Sequence, residues 1–160
     1  MPNKVLIVDD ELAIREMLKD VVEEAGHETE VAPCAEDALE MMPHYKPDII
    51  VSDVWMPGMD GHTFCQTARR MSDASILMIS GIPSEISVLQ KKQDEADDFL
   101  IKPFDVENFV ERIEALLEKR RIALDHPSDD EHRLVQIYQE LSETGRALLM
   151  KEARKISAED

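Results

Sequence analysis

Three carboxylates, a hydroxyl and an amine carry the latent chemistry of this 160-residue chain. Asp9 and Asp10 stand in an Asp-Asp-Glu run, Asp53 precedes a Met-Pro-Gly turn, Ser80 precedes Gly81, and Lys102 precedes Pro103. Each group follows a short run rich in Val, Ile or Leu. Brought together, Asp9, Asp10 and Asp53 would repel one another unless positive charge sat among them. A hard divalent cation answers that requirement, and Mg²⁺ matches carboxylate-plus-water coordination best. With such an ion present, Asp53 can ionise and act as a nucleophile toward phosphorus, giving an acyl phosphate. Lys102 and Ser80 would then offer a charge and a hydrogen bond to the transferred phosphoryl oxygens, and Gly81 leaves room beside Ser80.

Whether these groups meet depends on the elements that carry them. The apolar runs at 5–8, 49–51, 76–79 and 99–101 are continuous rather than alternating, the pattern of strands buried on both faces. The more polar run 28–32 fits an edge strand. Helical patterns lie between them. Leu12, Met17, Leu18, Val21, Val22 and Ala25 form one apolar stripe closed by Gly26, while 35–42 and 62–71 read as shorter helices. Ser84 opens a helix reaching about residue 94, and Asp105 caps a last one with Val106, Phe109, Val110, Ile113, Leu116 and Leu117 facing inward. Five strands alternating with five helices predict an open, doubly wound α/β fold with ligands bound outside the carboxyl ends of the strands. Four of the five termini carry the groups singled out above.

Composition narrows the function. With 18 Lys and Arg against 35 Asp and Glu, the formal charge is −17, which disfavours general binding to nucleic acid or anionic membranes. No run approaches the ~18 apolar residues of a membrane span, and the start lacks a signal-peptide pattern. Cys34 and Cys65 make no disulfide framework, and the five histidines show no metal-ligand spacing. A cytoplasmic protein is expected.

Four separated motifs, VDDE at 8–11, DVWMPGMDG at 53–61, SG at 80–81 and ADDFLIKPF at 96–104, resemble the receiver domain of two-component response regulators across residues 3 to 121. That resemblance implies a CheY-like five-stranded parallel sheet of order 2-1-3-4-5. It implies that Asp53 takes a phosphoryl group from a histidine kinase or phosphotransfer protein. Asp10 and Asp53 would ligate Mg²⁺ directly, Asp9 through water, and the backbone carbonyl of Trp55 would complete the protein ligands. Ser80 and Phe99 would form the switch pair, and Lys102 would contact the phosphoryl group. The chain departs from the family in having Ser80 in place of the commoner Thr and Glu95 where Gly often stands. The stretch from Asp53 to Ser80 is also about one residue short of the usual spacing.

The expected organisation is a receiver domain over 1–122, a linker over 123–130 and a helical extension over 131–160. Ser128 to Glu131 read as a capping box, and a second helix opens near Ser142. Acids outnumber bases from Asp125 onward, which argues against a DNA-binding effector. Two short amphipathic helices need a surface to bury their stripe, which the receiver itself, a second copy or a partner protein could offer; a homodimer contact or partner binding is the favoured expectation. Output through protein–protein contacts is the favoured reading, with the protein catalysing only its own phosphorylation and dephosphorylation. The alternatives are a DNA-binding regulator with a minimal helical effector and a phosphatase with an aspartyl nucleophile. The latter needs an acid two residues after the nucleophile, where Trp55 stands here.

Overall fold

A computed structural model describes residues 2–84 and 96–125, with the single positions Gly145, Ala147, Lys151 and Arg154. Five strands, β1 (Lys4–Val8), β2 (Glu28–Ala32), β3 (Ile49–Asp53), β4 (Ser75–Ser80) and β5 (Asp98–Ile101), form one parallel sheet of order β2-β1-β3-β4-β5. The doubly wound α/β reading is therefore correct, including the edge position of the polar strand. In register, Val8 faces Ala32 on one side and Ser52 on the other, Asp53 faces Ile79, and Ser80 faces Ile101.

The helices wholly within the described residues are α1 (Leu12–Glu24), α2 (Ala35–Tyr45), α3 (Gly61–Met71) and α4 (Val106–Asp125). On one face of the sheet, Leu6, Val8, Ile50, Ile76 and Met78 pack with Ala38 and Met42 of α2 and Phe64 and Ala68 of α3. On the other, Val5, Ile7, Val51, Leu77 and Ile79 pack with Leu18 and Val22 of α1 and Phe109, Ile113, Leu116 and Leu117 of α4. Successive strand residues point to opposite faces, so continuous apolar runs are what two covered faces require. Each large side chain withdrawn from water in this way stabilises the fold by about 1.5–3 kcal/mol before conformational entropy is counted.

Three expectations need correction. The stripe on α1 is narrower than its sequence implies: Leu18 and Val22 are buried, whereas Leu12 is 60% exposed and Met17 42%. Val106 likewise lies outward, because it begins α4 before that helix meets the sheet. Helix α2 passes Pro43 and continues to Tyr45. Pro43 has no N–H to donate, but the Tyr45 hydroxyl donates to the carbonyls of Glu28 and Val5 at 3.0 and 3.3 Å, tying the last turn to the sheet. Lys46, at φ 53°, then ends the helix with its N–H donating to Met42 O.

Two compact units divide the chain, Met1–Arg120 and Arg121–Asp160. Residues 123–125, expected at the start of a linker, are helical, and so are Gly145, Ala147, Lys151 and Arg154. Nearly all of the helix expected after Ser84, and the capping box at 128–131, lie outside the described residues. No helix among the described residues is long and apolar enough to cross a membrane.

Candidate functional site

The parallel sheet delivers the ends of β1, β3, β4 and β5 to one rim. Asp9 leaves β1 buried and Asp10 follows it exposed, while Asp53 closes β3 and is only 8% exposed. One carboxylate oxygen from each of Asp9, Asp10 and Asp53 lies within 4.8 Å of the other two. Neither Asp9 nor Asp10 caps α1, whose N-cap is Glu11 without a side-chain bond. Instead Asp9 Oδ1 accepts from the Glu11 N–H at 2.8 Å, and its carbonyl accepts from Arg15 Nη1 at 2.7 Å. Those bonds fix Asp9 just outside the helix.

Lys102 reaches into this group from the end of β5. Its Nζ donates to Asp53 Oδ2 at 2.9 Å and stands 3.7 Å from Asp9 Oδ2. Its backbone N–H donates to Ser80 O at 2.8 Å, and the Lys102–Pro103 peptide is cis. One amine thus answers two of the three carboxylates, Asp53 and Asp9. Burial pushes the Asp9 carboxyl up to about 6, and the nearby charges of Asp53 and Asp10 add to that rise; the Glu11 N–H and the Lys102 charge oppose it. Burial works to lower the Lys102 ammonium, but its bond to Asp53 and the charges of Asp53, Asp9 and Glu11 raise it overall. The donor set is entirely oxygen and short of positive charge, which fits a hard divalent cation.

Ser80 is fully buried, and its Oγ accepts from the Ile82 N–H at 3.1 Å. Phe99 pairs with Met78 in register and packs, half-buried, with the apolar cluster that includes Met78. Ser80 lies two residues beyond Met78 on β4, so the two members of the expected switch pair belong to the same face of the sheet.

The loop after β3 is held closely. The Trp55 N–H donates to Asp53 Oδ1 at 3.1 Å, the Val54 N–H to Ile79 O, and the Gly61 N–H to Val54 O. A Cβ at Gly61 would stand 2.1 Å from Asp53 O, so only glycine fits against the end of β3. Asp60 caps α3 by accepting from the Thr63 N–H at 2.7 Å, which lowers its pKa. The Trp55 ring is 62% exposed. Sequence reasoning missed two contacts here: Arg15 on the Asp9 carbonyl, and Glu36, whose Oε1 accepts from the Met59 N–H at 3.0 Å. Neither belongs to a motif, and no spacing pointed to them.

The model of the response regulator receiver domain matches residues 5–114, and the chain belongs to that family. It is 34% identical over 117 residues to the probable transcriptional regulator ycf27 of Cyanophora paradoxa, a match covering 73% of this chain and 49% of that one. It is 34% identical over 119 residues to the transcriptional regulatory protein AfsQ1 of Streptomyces coelicolor, covering 74% and 52%. The chain spans about half the length of these curated relatives. Among solved structures it resembles the chemotaxis protein CheY4 of Vibrio cholerae, with a TM-score of 0.68, 33% identity, and coverage of 72% of this chain and 99% of that one.

Proposed function

We propose that the protein is the switch of a two-component phosphorelay and accepts a phosphoryl group on Asp53. The observation that carries this reading is the meeting of Asp9, Asp10, Asp53 and Lys102 at the carboxyl end of the sheet. An Asp53 carboxylate oxygen attacks phosphorus as the P–N bond of a phosphohistidine on a sensor kinase or phosphotransfer protein breaks, and the imidazole departs. Asp9, Asp10, Asp53 and the Trp55 carbonyl would hold Mg²⁺, which supplies charge neutralisation on the phosphoryl oxygens when bound. Lys102 releases its bond to Asp53 Oδ2 and offers the ammonium to the incoming phosphoryl group. Ser80 turns its hydroxyl from Ile82 to a phosphoryl oxygen, and Phe99 follows into the space this opens.

Residues 1–122 form the receiver, and 131–160 serve a second copy or a downstream protein. Catalysis is confined to the protein's own phosphorylation and dephosphorylation, in the cytoplasm. Output through DNA is the second reading, favoured by relatives named as transcriptional regulators. Incubation with acetyl phosphate and Mg²⁺, read by intact-protein mass, should add one phosphoryl group to the wild type and none to Asp53→Asn. Continued turnover of a phosphate ester, or labelling that survives Asp53→Asn, would overturn the reading.

A further inference from the structure

The β3–α3 loop is held from outside by one carboxylate, close to where it enters α3. Glu36 lies in the first turn of α2, 23 positions before Met59, and its Oε1 accepts the Met59 N–H at 3.0 Å. The same oxygen lies 2.9 Å from where a Cβ would stand on Gly58, whose φ is +81°. A side chain at 58 would be strained by that φ and would displace Glu36, so glycine lets the carboxylate approach the loop. Hydrogen bonds from its own N–H and that of Met59 lower the Glu36 pKa and keep it charged. Two further bonds tie the ends of the loop, from the Trp55 N–H to Asp53 Oδ1 and from the Gly61 N–H to Val54 O. Trp55 therefore sits in a segment whose far side is set by Glu36.

From this geometry we infer that Glu36 is a positioning residue for the phosphorylation site: by holding Met59 it fixes the loop that presents the Trp55 carbonyl to the divalent cation. The inference rests on the receiver reading and adds a residue outside the rim to it. Groups that orient metal ligands without touching the metal set affinity by keeping those ligands in place before the ion arrives. The bond is exposed, so about a threefold to tenfold weakening of Mg²⁺ affinity is expected when it is removed, at or below the low end for such supporting groups.

The test titrates Mg²⁺ against Trp55 fluorescence in the full chain for wild type, Glu36→Ala and Glu36→Gln, and follows acetyl phosphate labelling at low and saturating Mg²⁺. Glu36→Ala should bind Mg²⁺ more weakly, label slowly at low Mg²⁺ and recover its rate at saturation. Glu36→Gln keeps an oxygen acceptor without the charge and should restore affinity to within about twofold of wild type. Equal Mg²⁺ affinity in wild type and Glu36→Ala overturns the inference, as does Glu36→Gln matching Glu36→Ala, which would make the effect one of charge alone. Metal-free thermal unfolding separates either result from misfolding. Failure of the wild type itself to bind Mg²⁺ or take label would instead sink the receiver reading.

Discussion

At the carboxyl end of the sheet Asp9, Asp10 and Asp53 crowd together with one amine, which reaches only Asp9 and Asp53, whereas at the amino end Asp48, Asp73 and Asp97 are each answered. Asp48 accepts the Lys4 N–H at 2.8 Å and lies 3.8 Å from Arg120 Nε, and Asp73 bonds Arg120 Nη2 at 3.1 Å. Asp97 Oδ2 takes both Arg69 Nη2 at 2.6 Å and the Ile76 N–H at 2.8 Å. The same side chain therefore fastens strands at one end and stores unbalanced charge at the other. A buried carboxylate left without its full complement of positive charge raises the energy of the folded state, and structures tolerate that where the site has work to do.

Lys102 gives the strongest way to break the contrast. Lys102→Met should slow labelling by acetyl phosphate about a hundredfold, since a charge on the transition state is lost. Its Mg²⁺ affinity should rise by about tenfold, because the ammonium no longer competes for Asp53 Oδ2. Fluorescence titration and a labelling time course read the two effects separately; Mg²⁺ affinity that falls would mean the amine assists the cation.

The next effect is on stability and carries a sign. Burial raises the Asp9 carboxyl from 3.8 to about 6 in the folded protein. The folded state thus holds this proton more tightly than the unfolded chain. Metal-free stability should fall as pH rises from about 4 to about 6 and stay low above that, by up to about 3 kcal/mol from this group. Asp9→Asn keeps the acceptor for the Glu11 N–H, removes the charge, and should flatten this dependence while stabilising the metal-free protein at pH 7 by about 1–2 kcal/mol. Urea unfolding at pH 5 and pH 7 measures both.

The smallest effect sharpens the opposite end. Asp97→Asn should destabilise by about 1 kcal/mol, because the partly exposed pair with Arg69 is lost while the Ile76 bond survives. Mg²⁺ affinity should be unchanged. The same substitution, Asp to Asn, is expected to stabilise at one end of the sheet and destabilise at the other.

Much of this was readable in the chain because it depends on local pattern. Continuous apolar runs specify strands covered on both faces, and the polar run 28–32 falls at the sheet's edge as β2. Once the strands are parallel, residues following them must share a rim, so Asp9, Asp53 and Lys102 were found from position alone. What stayed hidden depends on contacts across the fold. Leu12 and Met17 have helical spacing, yet α1 meets the sheet over too narrow an arc to cover them. The helix read over 35–42 runs on past Pro43 to Tyr45, whose hydroxyl bonds the distant β1 and β2. Glu36 reads as an ordinary first-turn acid until α2 is placed beside the loop after β3.

Gly61 has a consequence for how a chemical event at position 53 spreads. With no space for even a methyl between the start of α3 and the Asp53 carbonyl, that flank behaves as a rigid abutment. If Asp53 is phosphorylated as proposed, the resulting displacement is expected on the opposite flank, where the Lys102 N–H and the Ser80 carbonyl couple two neighbouring strands. On that reading a change at position 53 would run away from α3 and toward the far edge of the sheet.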